Sequence, residues 1–355
     1  MSFSTIIPGA SYPGKGLCRP LTTLLTATLV AFCGSAAAQM EEAAIFSDMD
    51  IVHPVYAVNG MVATQEETAT RIGVDILRQG GNAVDAGVAI GFALAVTLPR
   101  AGNLGGGGFM IIHDAEGNET VALDFREMAP AAASRDMYLN EQGEPDPELS
   151  RYSYKSVGVP GTVAGLALAL ERYGTMALAE VMAPAIQLAE EGITVSEDLA
   201  DSLVAAQERL GPWEESMKIF YKEGGEPYQV GDTLVQTDLA NSLKLIAEQG
   251  PRAFYLGEIA EKIAADMEAH DGLITQEDLA NYQPVVREPV RGNYRGYDIA
   301  SMPPPSSGGI HVIQILNILE NFPIQELGQN SAATIHLMAE AMKLAYADRS
   351  EYLGD

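Results

Sequence analysis

The stretch "AGNLGGGGFMIIHD", residues 101–114, joins a helix-like run to a strand-like run through four consecutive glycines. A phosphate-binding loop needs the opposite order, strand then loop then helix, so that the helix N-terminus faces the phosphate. No Lys-Ser/Thr pair follows the glycines either. The order therefore argues against nucleotide binding. It favours a steric role, because glycine permits positive φ and close backbone approach.

Two helices are predicted upstream of the glycines, within "MVATQEETATRIGVDILRQGGNAVDAGVAIGFALAVTLP", residues 61–99. The first spans about residues 65–79 and ends at Gly80 and Gly81. Asn82 is a good N-cap for the second, with Asp85 favourably placed in its first turn. The second helix is apolar on every side and rich in small residues, which predicts a buried core helix.

Downstream, apolar runs on both sides of "DAEGN" predict a β-hairpin. The chain then becomes mostly helical, with Ser196, Asp238 and Thr275 as predicted N-caps and capping-box spacing in "TQED". "YRGYDIASM", residues 294–302, predicts a further strand. "PPPSSGG" predicts a proline bend with a serine N-cap before two closing helices. The alternation of helices and strands indicates an α/β fold.

The composition describes a globular, acidic protein. The chain has 355 residues, 47% of them hydrophobic, and a formal net charge of −27. Such a field repels nucleic acid and anionic lipid, so no nucleic-acid partner is expected.

The first 38 residues contain Lys15 and Arg19 but no acidic residue. After these two basic residues, the same segment ends with the apolar run "LTTLLTATLVAFCGS" and three alanines, the last of them Ala38. This pattern predicts a signal peptide cleaved after Ala38, and thus an exported, periplasmic or secreted protein. The apolar run is too short for a stable membrane span. The mature chain, residues 39–355, would then carry 19 basic and 48 acidic residues, a net charge of −29.

Both cysteines, Cys18 and Cys33, lie in the predicted signal peptide. Cysteine nucleophiles, iron–sulfur clusters and thiolate zinc sites are therefore excluded from the mature chain. The histidines have neither H-E-x-x-H nor two-histidine metal spacing, so neither a metal nor a cofactor is predicted. They are His53, His113, His270, His311 and His336.

Arg126, in "DFREMAP", is the most notable charge, since it follows a strand in an arginine-poor chain. Its planar fork is suited to holding a carboxylate through two hydrogen bonds. From the residues alone, a structural ion pair with one of the many acids is the more common explanation. Ser306 and Ser307 do not match the G-x-S-x-G nucleophile elbow. Glu340, Asp348 and Glu351 indicate a solvated helix face.

Seven pieces, in order and together spanning much of residues 58–355, resemble the γ-glutamyltranspeptidase family. They are "GGNAVDAGVAIGFALAV" (80–96), "PRAGNLGGGGFM" (99–110), "DFREMAP" (124–130), "GVPGTVAGLALALERYG" (158–174), "DGLITQEDLANY" (271–282), "YRGYDIASMPPPSSGGIHVIQILNILE" (294–320) and "AYADRSEYLGD" (345–355). A single glycine-rich piece would be weak evidence, whereas the ordered set is specific.

The resemblance implies an N-terminal nucleophile hydrolase, an α/β fold with a four-layer αββα sandwich, of which residues 39–355 would form an incomplete large-subunit region. Family precursors cut themselves, and the new N-terminal threonine of the small subunit is the nucleophile. That threonine would lie beyond Asp355, so no catalytic residue is expected in this chain. The implied partners are glutathione and other γ-glutamyl compounds, amino-acid or peptide acceptors, and the small subunit of the same precursor.

Among the site residues of the family, Arg126 matches the arginine of "FREMAP" that binds the α-carboxylate of the γ-glutamyl group. The resemblance thus favours substrate binding over the ion pair. Two alternatives stay open: a cephalosporin or glutaryl acylase of the same fold, and a non-catalytic fragment or binding protein.

Overall fold

The predicted alternation of helices and strands is present in the computed structural model, which describes residues 55–353. The predicted signal peptide, residues 1–38, lies outside the described residues. The chain divides into two units, residues 1–58 and residues 59–355, and all described helices and strands lie in the second. No helix within residues 55–353 combines the length and apolar character that a membrane span requires.

Helices account for most of the described structure. They are α1 (Glu67–Arg78), α2 (Ala83–Thr97), α3 (Pro147–Tyr152), α4 (Thr162–Tyr173), α5 (Leu178–Glu191), α6 (Glu197–Leu210), α7 (Glu214–Phe220), α8 (Thr237–Gln249), α9 (Arg252–Tyr255), α10 (Glu258–Ala269), α11 (Gln276–Asn281), α12 (Gly308–Leu319), α13 (Ile324–Leu327) and α14 (Ala332–Tyr352), with one 3₁₀ turn at Tyr154–Ser156. The strands are β1 (Phe109–Asp114), β2 (Glu119–Asp124), β3 (Ile193–Thr194), β4 (Thr233–Leu234), β5 (Val285–Arg287), β6 (Val290–Tyr294) and β7 (Tyr297–Ser301).

Helix α2 is the centre of the core, as its sequence predicts. Asn82 and Asp85 form a reciprocal capping box: Oδ1 of Asn82 accepts from the Asp85 N–H at 3.0 Å, and Oδ2 of Asp85 accepts from the Asn82 N–H at 2.7 Å. The side chain of Phe92 is fully buried. Helices α1, α4 and α5 all pack against α2 and bury most of its residues. The prediction of burial on every side is wrong at one face, where Ala83 is exposed and Gly87, Gly91 and Leu94 are only partly buried.

The helix starts agree with the sequence at Ser196 and Thr275, whose hydroxyls accept backbone N–H groups three residues on. The prediction at Asp238 is wrong, because the N-cap of α8 is Gln236, two residues earlier, and the helix begins at Thr237. Gln236 is buried, and its Nε2 donates to the Val96 carbonyl at 2.8 Å, so a tertiary contact determines where this helix starts.

Strand β5 joins the predicted hairpin to make a three-stranded antiparallel sheet in the order β1–β2–β5. The stretch at residues 294–302, predicted to be one strand, is in fact the turn and second strand of the β6–β7 hairpin. Strands β5 and β6 have three and five residues and lie on either side of Glu288 and Pro289, so neither shows the long alternating run that predicts a strand.

The two faces of this sheet differ. Met110, Ile112 and Leu123 point to the helix side and belong to or contact the hydrophobic core, with α4 packed against β2. On the other face, Phe109 and Val285 stay 37% and 43% exposed, although strand residues next to a core are usually covered.

Candidate functional site

The glycine loop, residues 105–108, lies directly against the chain that leaves β2. None of its four glycines has positive φ, so close approach and not backbone conformation is the reason for glycine where the loop is crowded, above all at Gly107. A Cβ on Gly107 would lie 2.5 Å from the Phe125 carbonyl oxygen and 2.7 Å from the Glu127 nitrogen. The carbonyl of Gly106 accepts from the Gly161 N–H at 2.7 Å. The predicted steric role is confirmed.

Gly107→Ala should lower the free energy of unfolding of the full-length protein by about 1–3 kcal/mol, the usual cost of overpacking. The methyl group meets backbone atoms on both sides of Arg126, which no side-chain rotation relieves. Gly105→Ala is the matched control: its Cβ meets nothing within 4 Å, so a change under about 0.5 kcal/mol is expected. Equal urea-unfolding midpoints for the two variants would contradict this account.

Arg126 lies two residues after the end of β2, with its side chain exposed and its backbone held at both polar groups. Its N–H donates to Asp124 Oδ1 at 3.1 Å, and its carbonyl accepts from the Tyr282 hydroxyl at 2.9 Å. Nη1 of the guanidinium lies 3.5 Å from the Pro305 carbonyl oxygen, at the start of the segment that leads into α12. An exposed guanidinium on a fixed backbone is an arrangement suited to binding a carboxylate.

Asp124 is the buried acid of this site. Its side chain is 8% exposed, and Oδ2 accepts from Arg287 Nε at 2.8 Å while Oδ1 accepts from the Arg126 N–H. A buried carboxylate needs such partners, because an unpaired charge is costly in the interior. Arg287, the last residue of β5, thus neutralises the carboxylate of Asp124 beside Arg126.

Two stacked tyrosines lie beneath the Arg126 backbone, with ring centroids of Tyr255 and Tyr282 5.7 Å apart and planes 10° apart. Burial raises the pKa of both hydroxyls, so both stay protonated and act as donors at neutral pH. The Tyr255 hydroxyl donates to the Pro160 carbonyl at 2.9 Å. Sequence reasoning missed Asp124, Tyr282 and Arg287, since their contacts join residues more than 150 positions apart.

The serines before α12 behave as helix-start residues. Oγ of Ser306 accepts from the Gly308 N–H at 3.2 Å. Ser307 is the N-cap residue, as the sequence predicts, but its hydroxyl makes no capping hydrogen bond with the helix. That hydroxyl accepts from Arg349 Nε at 3.1 Å instead. The start of α12 is therefore set by the preceding prolines and by the hydrogen bond from Arg349 on α14.

The described histidines are dispersed. His270 stacks on Tyr154 with centroids 4.5 Å apart, and His113 lies 2.9 Å from the Thr120 hydroxyl. His311 is buried on α12 beside Tyr346. Within residues 55–353, no group of three or more His, Cys, Asp or Glu side chains could hold a metal ion.

Comparisons with known proteins identify relatives along most of the chain. A family model described as Gamma-glutamyltranspeptidase matches residues 69–355. The glutathione hydrolase proenzyme of Escherichia coli (strain K12) is 60% identical over 307 residues, which are 86% of this chain and 53% of that protein. The Acylase ACY 1 proenzyme of Pseudomonas sp. (strain V22) is 43% identical over 310 residues, 85% of this chain and 55% of that protein. The chain spans about half the length of these relatives.

A solved structure agrees with the sequence relatives. The crystal structure of Helicobacter pylori gamma-glutamyltranspeptidase matches with a TM-score of 0.83 and 50% identity, covering 85% of this chain and 86% of that one. The predicted α/β fold of an N-terminal nucleophile hydrolase is thereby confirmed. Because the family model covers well over half of the chain and the fold agrees, this chain belongs to the γ-glutamyltranspeptidase family.

Proposed function

We propose that this chain is the large-subunit part of a self-processing γ-glutamyltranspeptidase precursor. The whole enzyme would transfer the γ-glutamyl group of glutathione and related amides to water, amino acids or peptides. The observation that carries this proposal within the family is the exposed guanidinium of Arg126 on a backbone held by Asp124 and Tyr282.

In this proposal Arg126 binds the α-carboxylate of the γ-glutamyl donor and thereby places the γ-carbonyl carbon before the nucleophile. The nucleophile is the N-terminal threonine of the small subunit, beyond Asp355, whose own α-amine accepts the hydroxyl proton. Its Oγ bonds to the γ-carbonyl carbon, the amide C–N bond breaks, and the leaving amine takes the proton. Water or an acceptor amine then attacks the ester. Backbone N–H groups stabilise each oxyanion.

The small subunit would cover the face of the β1–β2–β5 sheet that lies opposite the helices, on which the register also places Asp124 and Arg287. Phe109, Ile111 and Val285 line that face and are each more than a third exposed. Apolar side chains grouped on a sheet face indicate a surface that another element buries. A partner sheet there would supply the second β layer of the αββα sandwich.

The proposal is tested with the full-length protein purified from its native host. A denaturing gel and intact masses should show two associated chains, the smaller beginning with threonine. A larger chain beginning at Gln39 would establish the proposed export and signal cleavage. A single chain with no threonine-headed partner would instead support a non-catalytic binding protein.

Substrate preference separates the transpeptidase from an acylase of the same fold, a candidate raised by the Acylase ACY 1 relative. We expect faster hydrolysis of a γ-glutamyl anilide than of the matched glutaryl anilide, because the family model that matches residues 69–355 is that of gamma-glutamyltranspeptidase. Arg126 does not decide this preference, since both substrates carry the carboxylate that it would bind. The two substrates differ only in the α-amino group. A preference for the glutaryl compound would assign the acylase activity.

A further inference from the structure

We infer that residues 275–287, called the clamp segment here, position Arg126 for carboxylate binding, with Tyr282 as the principal positioning residue. This inference rests on the proposed function, in which Arg126 holds the donor carboxylate. None of the clamp contacts involves the guanidinium, so the clamp segment would act through the Arg126 backbone and not on the substrate.

The clamp segment contacts the loop from Asp124 to Ala131, called the Arg126 loop here, at points before, at and after Arg126. Arg287 Nε donates to Asp124 Oδ2 at 2.8 Å, and the Tyr282 hydroxyl donates to the Arg126 carbonyl at 2.9 Å. Asp278 Oδ1 accepts from the Ala131 N–H at 2.8 Å. The register between Asp124 and Val285 adds the backbone pairing of β2 with β5. The loop from Asp124 to Ala131 is therefore tied to one short segment.

The clamp segment is itself well supported. Thr275 and Asp278 form a capping box at the start of α11. Burial opposes ionisation of Asp278, but the bonds from Thr275 and the Ala131 N–H outweigh it and hold the pKa of that carboxyl below its usual value. Leu279 is fully buried, and Tyr282 is 8% exposed and stacks on Tyr255. A segment anchored in the core restricts the movement of the residues that it contacts.

The Tyr282 hydroxyl is packed closely against the backbone of Gly161. A Cβ on Gly161 would lie 2.0 Å from that oxygen and 2.0 Å from the Phe125 carbonyl oxygen. Glycine is therefore required at residue 161 for the hydroxyl to reach the Arg126 loop. These contacts fix the backbone of Arg126 on the side that faces the core.

The test uses Tyr282→Phe in the full-length enzyme, with steady-state hydrolysis of a γ-glutamyl anilide. Loss of one hydrogen bond should raise KM by about 3- to 10-fold and leave kcat nearly unchanged, because the loosened group binds substrate and does not take part in bond breaking. Tyr221→Phe is the matched control. Tyr221 is 2% exposed, and its hydroxyl also donates to a backbone carbonyl, that of Leu203 at 2.7 Å. It should lower the melting temperature by a similar amount with KM unchanged.

The Arg126→Ala background separates the two proposals. There, Tyr282→Phe should change KM by less than about 1.5-fold, because the group that it positions is gone. If Arg126→Ala raises KM strongly but Tyr282→Phe behaves like Tyr221→Phe, the clamp is overturned and the proposed function stands. If Arg126→Ala itself leaves KM unchanged, the carboxylate-binding role proposed for Arg126 fails, and the clamp fails with it.

A second variant covers the case in which Tyr282→Phe yields no folded protein. Asp278→Ala removes the contact with Ala131 from the half-buried end of the clamp segment and should raise KM by about 2- to 5-fold. An unchanged KM for Asp278→Ala would then overturn the clamp.

Discussion

Arg126→Ala in the full-length enzyme should lower kcat/KM for a γ-glutamyl anilide by at least about 30-fold, equivalent to about 2 kcal/mol of lost carboxylate binding. Removing one partner of a hydrogen-bonded charge pair leaves the other charge desolvated without compensation. The effect should fall mainly on KM, since the contact exists in both the bound and the reacting substrate.

Two controls accompany Arg126→Ala. Arg126→Lys keeps the charge but loses the planar fork, so an intermediate loss is expected. Arg135→Ala removes an arginine that is 90% exposed and pairs with the adjacent Asp136, and it should leave kcat/KM unchanged. Wild-type kcat/KM in Arg126→Ala would remove Arg126 from the binding site.

Asp85→Ala should lower the free energy of unfolding by at least about 3 kcal/mol, since hydrogen bonds to a charged group contribute about 1.5–3 kcal/mol each. Asp85 is fully buried. Its carboxylate accepts from the N–H groups of Asn82, Thr175 and Met176 and from the Thr175 hydroxyl, at 2.7–3.0 Å. Alanine would leave these donors buried and unpaired, and urea unfolding of the full-length protein measures the loss.

The control for Asp85 is Asp75→Ala on α1, where the carboxylate is 59% exposed and pairs with Arg78. A change below about 1 kcal/mol is expected there, as for other surface ion pairs. A comparable loss in both variants would mean that the buried network of Asp85 contributes little.

The stabilisation by Asp85 should also depend on pH. Burial alone would raise the pKa of Asp85, but the hydrogen bonds from Thr175, Asn82 and Met176 outweigh it and lower the pKa below its ordinary value of 3.8. A carboxyl whose pKa is depressed by folding stabilises the protein fully above its unfolded pKa, and the contribution is lost as the pH falls through the folded pKa. The stability gap between wild type and Asp85→Asn should stay constant from about pH 5 to pH 8 and shrink below about pH 4.

The candidate site shows how far sequence reasoning extends. Arg126 is predicted from the fork chemistry of arginine and from the family motif around it, and the structure shows its side chain exposed beside the glycine loop. Tyr282 gives no comparable signal. A single tyrosine in a mixed segment is most often a core residue, and its role depends on a carbonyl 156 positions away.

The sequence by itself determined what short-range interactions control. The start of α2 depends on Asn82 and Asp85, three residues apart, and the β1–β2 hairpin depends on two apolar runs around one turn. The ordered family motifs determined the fold class. Only the tertiary structure decided the pairing of β5 with β2, the start of α8 after the buried Gln236, and the contacts that hold Arg126. The physical reason is distance along the chain: a hydrogen bond between residues 150 positions apart depends on the path of everything between them, which no local pattern of residues encodes.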